Sequence, residues 1–289
     1  MIFRKYCSNA TCFDAQNLAE DAQTYDKLLM GMILCHSVQV TKGDINRNAD
    51  LNTDVKGIQG RFNYVASSPE EKATLEVLAE SGYEFLGTEP SGRINVRIKG
   101  RRRTYLRLAE LPFDSYRKCM TVIIKETHND ASSSSNTTNK HETIHVFTKG
   151  AECVILPACV TPHSGANAMV HQTKIIVDNY ASDGLRTLVY AYKQLTRTEF
   201  ESFASQLEQA KQSIVNRVKF MRDVYHQIES RGMSLLGVTA IEDKLQEGVA
   251  ETIEKLGRAG ITTWMVTGDK KETAVNLGHA SGKGNYFFL

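Results

Sequence analysis

Between Ile94 and Gly150 the apolar residues fall at a spacing of two, and this constrains the fold more than any other feature. Ile94, Val96 and Ile98 alternate with Asn95, Arg97 and Lys99; Gly100 turns the chain and a second run continues through Leu108. MTVIIKE (120–126) and IHVFTKG (144–150) are two more β-branched runs. Period-two patterning puts alternate side chains on opposite faces of a strand. The basic run Arg101 to Arg103, beside Gly100, reads as a solvated hairpin tip. Between the last two runs lies HNDASSSSNTTNKHE (128–142), a Ser/Asn/Thr-rich insertion expected to be a flexible loop joining two antiparallel strands.

That context decides the meaning of HETIH at 141–145, which fits the H-E-x-x-H zinc-protease pattern by letter. The motif needs a helix, where histidines four apart share a face. Here His141 ends the polar insertion and His145 lies in a β-branched run, so the two would stand about 13 Å apart along a strand. One zinc ion cannot span that distance, and no metal site is expected.

Helical spacing appears on either side of the strands. Leu28, Leu29, Met32 and Ile33 mark one helix within 24–40. Another is expected from Pro69 through Leu78, with Ser68 as N-cap and Gly82 beyond its end. TKIIVDNYAS leads into GLRTLVYAYKQL (184–195), which reads as a helix turn feeding a buried strand, and 198–230 reads as one long helix or two. From Gly232 the pattern becomes strand MSLLGVTA (233–240), helix VAETIEKLGRA (249–259), Gly260 as its stop, and strand ITTWMV (261–266). A strand, crossover helix and strand of these lengths predict a parallel βαβ unit. The expected fold is α+β, an antiparallel sheet flanked by helices over 1–230, followed by an incomplete α/β segment over 231–289.

Composition excludes several functions. With 35 Lys+Arg against 33 Asp+Glu, the net charge of +2 leaves no footprint for nucleic acid. Six cysteines without a C-x-x-C pair read as reduced cytosolic thiols. No stretch approaches the roughly 18 apolar residues that span a bilayer, and MIFRKYCSN lacks a signal-peptide apolar run.

The expected α/β unit ends in TGDKKETA (267–274), where ligands of open α/β sheets bind, against the next helix N-terminus. Thr267 and Gly268 offer a hydroxyl and unhindered N–H groups to a phosphate, with the Asp269 carboxylate nearby. Asp269 could equally N-cap the helix, with Glu272 completing a capping box. Asp243 and Lys244 end the other strand and would share the rim. A P-loop is absent from the sequence.

In order along nearly the whole chain, YVASSPEE, LPFDSYRKCMTVII, FTKGAECVI, ASDGLRTL, GVTAIEDKLQ and TWMVTGDKKETAVNLG resemble segments of type IV P-type ATPases, the phospholipid flippases. MIFRKYCSN resembles the segment just after that family's phosphorylated loop, and LMGMILCHSV resembles the helix after it. The resemblance implies a nucleotide-binding domain over 1–230 and part of a phosphorylation domain over 231–289. It also implies roles. Phe113 would stack on adenine rather than fill a core. Lys149, before Gly150, would hydrogen-bond the nucleotide rather than merely end a strand. Arg186 would fork onto phosphate rather than form a surface ion pair. Glu71 would line the base pocket rather than serve the helix dipole alone. Thr267, Gly268 and Asp269 would meet the γ-phosphate. In several places the chain departs from the family pattern, with Glu70 for Asp, Lys72 for Gly, Tyr116 for a small residue, Cys119 for a basic one and Glu152 for Asp.

By the same resemblance the acceptor aspartate would lie before Met1 and the magnesium-binding segment beyond Leu289, so no catalytic residue is expected within the chain. The parent protein would be an integral membrane ATPase using ATP and Mg²⁺ and moving a phospholipid, with this portion on the cytosolic face of the membrane, and able to take an accessory membrane subunit. The alternatives are a cation-transporting P-type ATPase, against which AIEDKLQ and TGDKKETA argue, and a nucleotide-binding regulatory module of a pump-like fusion. A haloacid-dehalogenase-like phosphatase would need an Asp-x-Asp after a strand, and none is found.

Overall fold

A computed structural model describes residues 2–6, 12–16, 22–41, 63–127, 143–160, 164–242, 246–267 and 271–281. The expected flexible loop at 128–142 and His141 lie outside the described residues. The chain runs β1 (Ile2–Tyr6), β2 (Cys12–Gln16), α1 (Ala22–Leu34), β3 (Gln39–Thr41), β4 (Asn63–Val65), α2 (Pro69–Glu80), β5 (Tyr83–Thr88), β6 (Arg93–Ile98), β7 (Arg101–Asp114), β8 (Cys119–Thr127) and β9 (Ile144–Gly150). It continues through α3 (Glu152–Cys159), α4 (Ser164–Ser182), β10 (Arg186–Leu195), α5 (Arg197–Gln212), α6 (Arg217–Glu229), β11 (Ser234–Ile241), α7 (Val249–Arg258) and α8 (Lys271–Ala280).

Among the described residues nine strands form one sheet in the order β1-β2-β11-β10-β9-β8-β7-β6-β5, and every neighbouring pair is antiparallel. The period-two runs supply its centre. Val122, Ile124, Phe147 and Tyr192 point to a core shared with Leu28, Met32 and Ile33 of α1 and with Leu75 and Leu78 of α2. Their alternates Ile123, Val146 and Ala191 point the other way, toward Ile155, Val177, Phe203 and Ile228 of α3 to α6. The sheet is therefore buried on both faces, which accounts for strands that read as nearly continuous apolar runs. Gly31 lets α1 approach closely, since a Cβ there would lie 3.1 Å from the Phe147 ring.

The expected α+β architecture is present. The helix at Pro69 begins where expected: Ser68 is extended, its hydroxyl accepts from the Glu71 amide, and Gly82 beyond the end has φ +84°. The β6–β7 turn is Lys99-Gly100, both with positive φ, as a two-residue hairpin requires. The 198–230 segment is two helices, divided where Asn216 adopts φ +58°. Two helices go beyond the one helix turn expected before the 184–195 strand. The first, α3, carries Pro157 in its interior, and the 19-residue α4 opens on Ser-Gly.

The parallel βαβ unit does not form among the described residues. β11 is hydrogen-bonded to β10 on one side and β2 on the other, both antiparallel, so neither edge is open to a parallel partner. Residues 261–267 carry no strand, and Val266 is 93% exposed. No residue of α7 is buried. The β-branched and aromatic residues of 261–266 give strand character only when a neighbouring edge accepts it.

Candidate functional site

The first turn of α2 carries two adjacent carboxylates. Proline at the first position and a Ser68 cap start the helix, and Glu70 and Glu71 then sit where the helix dipole favours negative charge. Each reaches a cation on the sheet. Glu71 Oε1 accepts from Lys149 Nζ at 2.6 Å, while its Oε2 accepts from the Ser37 amide at 2.9 Å and the Ser37 hydroxyl at 2.8 Å. Glu70 Oε1 accepts from Arg186 Nη1 at 2.5 Å, and Ser68 Oγ also donates to Glu70. Three of the expected site residues, Glu71, Lys149 and Arg186, are thus gathered around one helix start, with Glu70 as the fourth member.

Lys149 is 8% exposed, standing between Met120 of β8 and Tyr190 of β10. Burial opposes its charge, but the Tyr190, Cys35 and Glu71 groups around it outweigh that and hold its pKa above the ordinary lysine value. Burial likewise works against the Glu71 carboxylate; the Lys149 charge and the Lys149 and Ser37 hydrogen bonds win, and its pKa lies below the usual range. Glu70 follows the same pattern, burial being overcome by Ser68 and Arg186. Cys35, whose thiol burial pushes up to about 12, stays a protonated thiol beside this pair.

Phe113 owes its position to an irregularity. Leu111 faces Thr121 and Asp114 faces Cys119, so Pro112 and Phe113 together oppose Met120 alone. This is a β-bulge, a device that bends a strand and re-aims a side chain. Met120 in turn faces Lys149. At about 4.8 Å per strand, the Phe113 backbone lies roughly 10 Å across the sheet from that of Lys149. The ring is 64% exposed, so it is not core. Tyr116, in the following turn, is also exposed.

Gly150 is required by packing. A Cβ there would lie 2.5 Å from the Lys118 carbonyl and 2.7 Å from Cys119 Cβ. Its missing side chain makes room for the β7–β8 turn, to which the Ala151 amide donates at 3.0 Å.

Of the remaining expected residues only Thr267 is among the described ones. Thr267 is exposed at the end of the irregular 261–267 segment. Gly268, Asp269, Asp243 and Lys244 lie outside the described residues. This half is linked to the sheet through α8, whose Asn276 Nδ2 donates to the Ser182 carbonyl at 2.9 Å, close to Gly184 and so to the start of β10. Sequence reasoning missed Ser37 and the pairing roles of Glu70 and Glu71. Adjacent acidic residues after a cap are explained by the helix dipole, and nothing local signals the cations they meet.

The model of the family "P-type ATPase, cytoplasmic domain N" matches residues 24–248. Among curated proteins the chain is 33% identical over 95% of its length to phospholipid-transporting ATPase DNF2 of Saccharomyces cerevisiae. It is 35% identical over 86% of its length to phospholipid-transporting ATPase IC of Homo sapiens, and 38% over 77% to phospholipid-transporting ATPase ID of Mus musculus. It spans only 16% of the first of these relatives and 17% of the other two. The family match runs from α1 past the end of β11, over the two-faced antiparallel sheet and the cluster it carries, and the chain belongs to the P-type ATPase cytoplasmic domain N family.

Proposed function

We propose that the chain is the ATP-binding portion of an ATP-driven phospholipid transporter. The observation that carries this reading is the exposed Phe113 ring on a bulge two strands from buried Lys149, with Arg186 at the entry of the next strand. An exposed aromatic face suits a nucleobase, and a guanidinium suits phosphate. Glu71 would then line the base pocket from α2. The donor set fits ATP, and the relatives' names as phospholipid-transporting ATPases support the cargo.

On this reading Thr267, Gly268 and Asp269 belong to the start of a phosphorylation domain, with Asp243 and Lys244 on its rim. That domain would begin only after Ile241, because β11 is paired on both sides within the sheet. The γ-phosphate would pass to an aspartate outside the chain, so the chain alone would not turn over. Among the described residues no group of three His, Cys, Asp or Glu side chains could hold a metal; Mg²⁺ would enter on the nucleotide's phosphate oxygens. No described helix is long and apolar enough to cross a membrane. The parent's membrane segments, its cytosolic-face location and any accessory subunit are part of the same proposal. A second reading, a regulatory nucleotide-binding module, draws on the fact that Glu71 and Glu70 already neutralise Lys149 and Arg186.

The test is calorimetric titration of the folded chain with ATP, alongside Phe113→Ala. We expect a dissociation constant on the order of millimolar, about −4 kcal/mol, weakened by about 1–3 kcal/mol in the variant. A folded chain that ignores ATP, or a Phe113→Ala chain that binds as wild type does, would sink the proposal.

A further inference from the structure

The turn that presents Phe113 is gripped from the far face of the sheet by one helix. Arg222 of α6 forks onto Asp114, the residue after Phe113, with Nε 2.9 Å from Oδ2 and Nη2 3.3 Å from Oδ1. The same guanidinium lies 4.5 Å from the centre of the Tyr116 ring. Seven residues on, about two helical turns and so on the same face, Glu229 accepts from Arg117 Nη1 at 2.5 Å. Arg117 is sandwiched, since its guanidinium also lies 4.7 Å from the ring centre of Tyr225. Its Nη2 donates to the carbonyl of Pro112, the residue before Phe113. Glu229 is further anchored by Thr121 Oγ1 at 2.7 Å, itself 2.9 Å from Thr148 Oγ1. The two residues bracketing Phe113 are therefore each tied to an arginine that α6 carries or holds.

We propose that Arg222 and Glu229 are positioning residues for the Phe113 ring, acting through Asp114 and Arg117, so that α6 sets how well the bulge presents an aromatic face to a nucleobase. The inference rests on the nucleotide reading above. A bulge followed by a four-residue turn has no intrinsic reason to hold one geometry, and an exposed ring cannot be held by core packing. The hydrogen-bonded charges supply what packing does not. Arg222 is partly exposed and carries no buried partner whose loss would unfold the chain. Its effect can thus be read in the folded state. Glu229 and Arg117 are both buried, and removing either would be felt first as stability.

The test is a double-mutant cycle in ATP affinity between Arg222→Met and Phe113→Ala, measured by calorimetry on the whole chain. Arg222→Met should weaken ATP binding about 3- to 10-fold, a part of what a base stack contributes. Arg222→Lys should recover only part of it, since an ammonium cannot make the fork. In the Phe113→Ala background Arg222→Met should change nothing further, because the ring it positions is gone. A merely structural role would carry the same loss into both backgrounds. Asp114→Asn, which keeps an acceptor for the Tyr116 amide but weakens the fork, should repeat the pattern and serves if Arg222→Met melts early. Equal losses in both backgrounds, or no loss at all while Phe113→Ala weakens binding, overturn the positioning role and leave the nucleotide site standing. A wild-type chain that does not bind ATP overturns both.

Discussion

Lys149 Nζ and Glu71 Oε1 lie 2.6 Å apart in a nearly dry setting, joining β9 to the first turn of α2 across 78 residues of sequence. A buried pair of this kind is costly to break, because the remaining charge has neither water nor partner. Lys149→Met should therefore lower unfolding free energy by about 3–5 kcal/mol, and adding Glu71→Gln should restore most of it. Urea denaturation of the single and double variants checks this; a single-variant loss under about 1 kcal/mol would show that water reaches the pair. For the same reason a Lys149 variant tests the fold before it tests the nucleotide.

Phe113 is the cleaner probe. Most of its ring is in solvent, so Phe113→Ala should leave stability within about 0.5 kcal/mol of wild type. Loss of the stack should nonetheless cost about 1–3 kcal/mol of ATP binding, which calorimetry at matched salt would read. A melting temperature that falls with the affinity would mean the ring is packed, not presented.

Gly150→Ala should destabilise by about 1–3 kcal/mol, since the new methyl group meets the Lys118 carbonyl, which cannot swing aside. Thermal melts would show it. Unchanged melting would mean that the β7–β8 turn stands farther from β9 than a 2.5 Å approach allows.

His36 makes the fold acid-sensitive. Its Nδ1 accepts from the Val38 amide at 3.1 Å, so the proton sits on Nε2, which donates to the Ile33 carbonyl at 2.9 Å. Burial, then the Lys149 charge, lower its pKa to about 4. The unfolded imidazole, near 6.5, binds a proton first as pH falls. The stability it contributes is full above about pH 6.5 and is lost progressively toward pH 4, on the order of 3 kcal/mol in all. The Glu71 carboxylate adds a loss at lower pH, as its depressed pKa requires. Chemical denaturation from pH 7 to 4 should flatten over this window in His36→Gln; an equal slope in both chains would assign the acid loss elsewhere.

Much of the fold is legible because its signals are local. Alternation from Ile94 to Gly150 marks strands whatever they pair with, and Ser68-Pro69 followed by two glutamates starts a helix wherever it lies. Phe113, Lys149, Arg186 and Glu71 are reached only through resemblance, since each has a bland reading in isolation. Once the chain is folded, the exposure of Phe113 removes the core-packing reading for that ring. The 261–266 run fails as a strand for the converse reason. Strand propensity states a capacity for β structure, and the edge that would satisfy it has to come from elsewhere.

The sequence by itself determined the strands between Ile94 and Gly150, the helix that starts at Pro69 and the helical 198–230 segment, because propensity, capping and period act over a few neighbours. Tertiary structure alone decided that β11 is paired with β10 and β2, that Glu71 meets Lys149 and Glu70 meets Arg186, and that α6 grips the turn beside Phe113. These ion pairs join residues 78 to 116 positions apart. Their charges find each other only because a two-faced sheet brings distant segments into one low-dielectric place, where an unpaired group would be more costly than the chain entropy lost in pairing it.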